Sequence, residues 1–185
     1  MAQIVVLWSG DGLARIELAL KELPGKGRKR AALRRAINHT GNKVHTRVVR
    51  ALGRQIRAPQ SVIKKYGTVR RIKAYAQDLS YTIRSDGGPI PLKYFRANQT
   101  RKGVSAAPSG NRKTYKHAFL IAKFANHAFW RSTSKRLPIE RIAGPNVPKE
   151  IVKDEVRRVF EQMTATHLPK RVEHEIKVLT KGVLS

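Results

Sequence analysis

The chain has 185 residues, with 39 lysines and arginines against 12 acids and a formal net charge of +27. Hydrophobic residues make up 41%, enough for the core of one domain, while the charge imposes a self-repulsion that a polyanionic or acidic partner would relieve. The absence of cysteine excludes disulfides, thiolate zinc sites and cysteine nucleophiles; no apolar run reaches the length of a membrane span, and "MAQIVVLWSGDG" lacks the basic flank of a secretory signal, so the expectation is a soluble, intracellularly made protein with no membrane contact.

In chain order, residues 3–8 read as a short strand broken by Gly10-Asp11-Gly12. Leu13, Ile16, Leu20 and Leu23 recur at helical spacing, and Pro24-Gly25 ends that helix. A second, longer helix is expected over residues 28–57. At about 100° per residue, Leu33, Ala36, Ile37, Val44, Val48, Ala51 and Leu52 gather on one face, and Arg35, Lys43, Arg47, Arg50, Arg54 and Arg57 on the other. Ala58-Pro59 closes it, because a residue before proline avoids the helical region. Residues 60–66, which carry Lys64 and Lys65, suit one more helical turn.

The next stretch, "TVRRIKAYAQDLSYTIRSDGG", supplies strand formers at Val69, Ile72, Tyr75, Leu79, Tyr81 and Ile83, then strong turn chemistry at Asp86-Gly87-Gly88-Pro89. "IPLKYF" and "TYKHAFLIAKF" read as strands on either side of "ANQTRKGVSAAPSGNRK". Asn126-His127 turns the chain into "AFWRST", and "RLPIERIAGP" is a last extended piece. The C-terminal helical segment opens at Val147-Pro148, with proline suited to a first helical turn. Val152, Val156, Val159, Phe160 and Met163 form a stripe that Pro169 interrupts before Val172, Ile176 and Leu179 resume it, which implies a kink or two consecutive helices.

These elements define a single α+β domain over residues 1–185. It comprises a strand and helix (1–25), a long basic amphipathic helix (28–57), an antiparallel β-sheet (66–145) and a kinked C-terminal helical segment (147–182), with the helices at both ends covering one face of the sheet. A long basic β-hairpin loop projects from the sheet.

The residues offer little for catalysis or cofactors. His39, His45, His117, His127, His167 and His174 have no metal-ligand spacing, and "VEHEIK" lacks the second histidine of a zinc helix. No acids pair for general acid–base work: Glu140 is isolated, and most of the others lie in the C-terminal helical segment at ion-pair spacing, such as Asp154 with Arg158. "GKGRKR" is neither a Walker loop nor a dinucleotide turn. No catalytic, cofactor-binding or metal residue is therefore assigned, and the expectation is a non-enzymatic protein.

The basic helix face is the stronger signal. Its cations, with Lys64 and Lys65, can meet phosphates or an acidic partner, whereas a face of mixed sign would simply be solvated. Sequence-specific reading is not indicated, since no helix-turn-helix, zinc finger or aromatic platform is apparent and the aromatics fit a sheet core. In "RLPIERIAGPNVPKE" the prolines and glycine suit either a plain connector or a rigid edge segment that offers backbone to another subunit.

Four stretches occur together in an order that resembles one family: "LPGKGRKRAALRRAINHTGNKVHTRVVRALGRQI", "SVIKKY", "IPLKYFRANQTRKGVSAAPSGNRKTYKHAFLIA" and "FWRSTSKRLPIERIAGPNVPKE". They resemble the minor tail protein Z family of long-tailed bacteriophages and prophages, the tail-completion proteins typified by phage lambda. The resemblance covers roughly residues 13–150, and residues 90–122 and 131–145 are its most specific parts. It implies a virion protein at the head-proximal end of the tail, assembled in the host cytoplasm, that completes the tail for joining to the head and helps place DNA for ejection. The implied partners are copies of itself in a ring, generally sixfold, the tail terminator, the tail tube and the head–tail connector, with non-specific contact to packaged DNA. DNA must also leave, so part of the positive charge is expected to meet acidic proteins.

The segment "ANQTRKGVSAAPSGNRK" has no helix N-terminus to organise a phosphate cradle. At roughly seventeen residues it exceeds ordinary hairpin loops and, as a hairpin, reaches about 25 Å at ~3.3 Å per residue. Arg101, Lys102, Arg112 and Lys113 are accordingly expected on an arm that laps a neighbouring subunit or the lumen, mobile in the isolated chain and ordered in the assembly, so that deleting residues 102–112 harms joining more than folding. The basic helix is the first choice for DNA contact.

Overall fold

The computed structural model describes residues 2–5, 26–75 and 77–180. Strand β1 spans Ala2–Val5; the expected helix over residues 13–23 lies outside the described residues. The architecture is α+β, with helices and several small antiparallel sheets.

Helix α1 runs Lys26–Ile56, close to the expected bounds. Its end is a Schellman motif: Arg57 is left-handed (φ 60°), its N–H bonds the Arg54 carbonyl at 3.3 Å, and the Ala58 N–H reaches Gly53 O at 3.2 Å. Pro59 then starts α2, Gln60–Gly67. Strands β2 (Val69–Ile72) and β3 (Thr82–Ser85) follow, with β3 central in a sheet ordered β1-β3-β2. Tyr75 and Leu79 fall in the connector between β2 and β3 rather than in a strand. The expected turn at 86–89 forms, and it also serves α2: Gly87 N–H bonds Gly67 O at 3.1 Å and Gly88 N–H bonds Tyr66 O at 2.9 Å. These contacts satisfy carbonyls that the helix end leaves open. A Cβ at Gly87 would collide with the Tyr66 carbonyl, so that close approach requires glycine.

The long loop is not a loop. After β4 (Pro89–Pro91) and a 3-10 turn at Leu92–Phe95, residues 98–116 build their own meander. It consists of β5 (Asn98–Thr100), β6 (Gly103–Ala106) and β7 (Lys113–Lys116), with β6 in the middle. Every residue of β6 is buried, and Val104 and Ala106 are fully enclosed in the main core. Small side chains make burial on both faces possible. Gly103, at φ 141°, lies against the Tyr115 carbonyl where a Cβ would collide. The expectation of an arm that is mobile in the isolated chain, and whose deletion harms joining more than folding, is therefore corrected: removal of residues 102–112 would take a strand out of the core.

A third sheet is ordered β10-β9-β8, from β8 (Phe119–Ile121), β9 (His127–Arg131) and β10 (Ile139–Arg141). Strand β11 (Ala143–Asn146) returns to pair with β4. The single sheet expected over residues 66–145 is thus four small sheets among the described residues.

The C-terminal helical segment is divided, but not at Pro169. Helix α3 covers Val147–Glu150, and α4 is one helix from Asp154 to Leu179 that contains Pro169. The missing proline N–H deprives the carbonyl of Ala165, and Ala165 is exposed, where water can serve it. Gln55 of α1 organises the start of α4: its Nε2 donates to Glu150 Oε2 at 2.8 Å and its Oε1 accepts from the Val156 N–H at 3.4 Å. The Arg54–Glu155 and Arg35–Glu175 pairs show that α1 and α4 lie antiparallel. The two terminal helices thus pack on each other as well as on the strands.

The main core takes the C-terminal half of α1 (Val44, Val48, Leu52, Ile56) with α2, Tyr81, Ile83, Ile90, Leu92 and the first turns of α4. A separate, thinner cluster joins Ala36 to Leu168 and Val172, flanked by the partly buried Leu33, Ile37 and Ile176.

Candidate functional site

On α1, the cations expected to form one binding face are all exposed, but they are not equivalent. Arg35 Nε donates to Glu175 Oε2 at 2.7 Å, and Arg54 binds Glu155 Oε1 through Nε (2.9 Å) and NH2 (2.7 Å). Acids from α4 therefore partner the two ends of the stripe. Lys43, Arg47 and Arg50 make no ion pair among the described residues and remain available to an external anion. Nearer the N-terminus the azimuth of Arg50 is occupied by the buried Ala32, so the cationic face is shorter than the wheel suggests.

Arg57 lies past the helix end, with its side chain against Gly110. Lys64 and Lys65 stand exposed in the last turn of α2, and the Lys65 amine is 5.8 Å from the Tyr66 ring centroid. The meander divides the four loop cations between its ends. Arg101 and Lys102 form the tight turn between β5 and β6, where Lys102 O accepts from the His117 N–H at 3.3 Å. Arg112 donates to Ser105 Oγ at 3.1 Å and precedes Lys113 at the other end, two residues from the glycine that Arg57 touches. The fold thereby brings Arg57 of the helix group to Arg112 and Lys113 of the loop group.

A further basic site is not legible in the linear pattern. Arg34, Arg35 and Asn38 of α1, Lys73, Ala74 and Tyr75 of the β2–β3 connector, and Arg171 of α4 line one open hollow of about 540 Å³. Asn38 holds the connector at two points: Nδ2 donates to Ala74 O at 3.0 Å and Oδ1 accepts from the Ala74 N–H at 2.8 Å. Glu175, only 3% exposed, braces the floor by accepting from Arg35 and, at 2.6 Å, from Arg171 NH2. Burial alone would raise the Glu175 carboxyl, but the hydrogen bonds and charges of Arg35 and Arg171 outweigh it and hold the group below its ordinary 4.5. Nearby His39 is pushed down from 6.5, first by burial and then by the charges of Arg171 and Lys43, against the opposing pull of Glu175. The signal in sequence was limited to Tyr75, an aromatic inside a basic stretch, which reads equally well as a strand residue.

Elsewhere on α4 the ion pairs are Arg157–Glu161, Arg171–Glu175 and Glu173–Lys177, and not the expected Asp154 with Arg158. Among the described residues no three or more histidines and carboxylates are grouped to hold a metal ion, and no helix is long and apolar enough to cross a membrane. No protein-family model, curated protein or solved structure matches the chain.

Proposed function

We propose that this chain is a structural, non-enzymatic component of a long-tailed bacteriophage particle, seated in a homo-oligomeric ring at the head-proximal end of the tail. The observation that carries the reading is the ordered resemblance of residues 13–150 to tail-completion proteins of the minor tail protein Z family. Two features of the fold are compatible with a ring subunit. Strand β10 is an outer strand of its sheet and has no partner on its far side among the described residues, so it offers backbone for augmentation by a neighbour. The segment before it, residues 131–138, is exposed throughout.

The cations that α4 leaves unpaired, Lys43, Arg47 and Arg50 among them, suit acidic neighbours in the tail and neck and sequence-blind contact with DNA. The test is location and loss. Labelled protein should be imaged at the head–tail junction of intact particles, and particles assembled without it should fail to join heads or to deliver DNA. Finding it free in the cytoplasm of infected cells, with infectivity unchanged by its removal, defeats the proposal.

A further inference from the structure

We propose that the hollow between α1, the β2–β3 connector and α4 binds a single strand of nucleic acid, with backbone phosphates on Arg34, Lys73 and Arg171 and an unpaired base on the Tyr75 ring. The inference stands independently of the tail-completion reading.

Charge makes the first part of the case. Four cations, Arg34, Arg35, Lys73 and Arg171, line the hollow, and among the described residues Glu175 is the single carboxylate that pairs with any of them, so most of their charge is uncompensated there. Preorganisation makes the second. Because Glu175 grips Arg35 and Arg171 at 2.7 and 2.6 Å, these guanidiniums are held before any ligand arrives, and each has further N–H groups than the carboxylate uses. Arg34 and Lys73 are exposed and make no ion pair among the described residues, so binding would not have to break one.

The aromatic decides the ligand class. Tyr75 is 66% exposed beside these cations, the largest exposure of any big apolar side chain among the described residues. Its N–H bonds Asp78 O at 2.8 Å, which fixes the backbone while leaving the ring open. A small phosphate compound would be better served by an enclosing cradle of backbone N–H groups, and the hollow is open. A basic groove with a free aromatic face is the arrangement that tracks a strand and stacks its bases. Duplex DNA keeps its bases inside the stack and has no use for that ring. Arg30, whose NH2 donates to Gln77 O at 3.1 Å, extends the basic track along the same connector.

The experiment uses the full-length chain and a fluorescein-labelled thymidine oligonucleotide of about 16 nucleotides, read by anisotropy over a salt series, with a duplex of equal length in parallel. Arg34→Gln with Lys73→Gln should weaken single-strand binding about tenfold and lower the salt slope by about 1.4, near 0.7 per lost phosphate. Tyr75→Ala should weaken the single strand about tenfold and leave the duplex unchanged, while Tyr75→Phe stays within about twofold of wild type. None of the three side chains makes a hydrogen bond among the described residues, and circular dichroism of each variant should match wild type. The proposal is overturned if Lys135→Gln with Arg136→Gln, on the exposed segment before β10, weakens binding as much as the hollow variant, because net charge would then be the cause. It is equally overturned if Tyr75→Ala and Tyr75→Phe behave alike, or if the wild type does not bind the strand.

Discussion

The two halves of α1 are built by different rules. The C-terminal half sinks Val44, Val48, Leu52 and Ile56 into the main core against α2, Tyr81 and the strands. The N-terminal half has only the thin seam of Ala36 with Leu168 and Val172, edged by partly buried aliphatics. What the first half lacks in apolar contact it has in charge, since Arg34, Arg35 and the Glu175 brace belong to it. A helix can carry such a concentration of cations where a buried carboxylate fixes two of them and the fold is anchored elsewhere. The apolar anchor and the braced cations of the hollow are thereby divided along one element.

The comparison is broken most severely from the anchored half. Leu52→Ala, at a fully buried site, should cost about 2–5 kcal/mol, and Leu168→Ala in the thin seam should fall at the low end of that range or below. Urea unfolding of the two variants measures the difference, and equal losses would deny that the halves differ. At the boundary between the halves stands Gly41, where a Cβ would collide with the Tyr81 ring. Alanine normally favours a helix interior by about 1 kcal/mol over glycine, yet here Gly41→Ala should destabilise by about 1–3 kcal/mol, because Tyr81 is 1% exposed and its hydroxyl is tied to Asn42 Oδ1 at 3.2 Å. A stabilised variant in thermal melting would refute that contact.

Glu175 tests the charged half. Its carboxyl is held below 4.5, so its contribution is complete at neutral pH and is lost as pH falls below that value toward the folded-state pKa. Glu175→Gln should cost about 1–2 kcal/mol at pH 7, a figure discounted because the Arg35 partner is 49% exposed. The gap between variant and wild type should narrow near pH 3.5; a gap independent of pH would mean the pair is not what holds the helices there.

The smallest effect belongs to His45, whose Nε2 is buried without a partner. Burial, then Arg71 and Lys64, push its pKa below 6.5. The unfolded chain takes up the proton first, so stability is full above pH 6.5 and declines as pH falls through the folded-state value. His45→Gln should remove that loss, read as a flatter melting profile between pH 7 and pH 5.

Much of the helical framework was legible. The apolar periodicity of α1 extends over many turns and Ala58-Pro59 stops it, so its bounds moved little. The turn at 86–89 was legible for the same local reason. Residues 98–116 misled because β6 reads Gly-Val-Ser-Ala. A strand enclosed on both faces needs small side chains and shows no alternation, and small residues beside glycine and proline look like loop chemistry. The hollow was hidden for a different reason: Arg34, Lys73 and Arg171 sit on three elements far apart in the chain.

By itself the sequence determined the charge excess, the path of α1, the absence of thiol chemistry and the α+β class. Tertiary structure alone decided which cations are neutralised and which are free. Helical periodicity sets the azimuth of a side chain on its own helix, but it says nothing of which helix will lie alongside. The antiparallel placement of α4 brought Glu155 to Arg54 and Glu175 to Arg35, and left Lys43, Arg47 and Arg50 without an ion pair among the described residues.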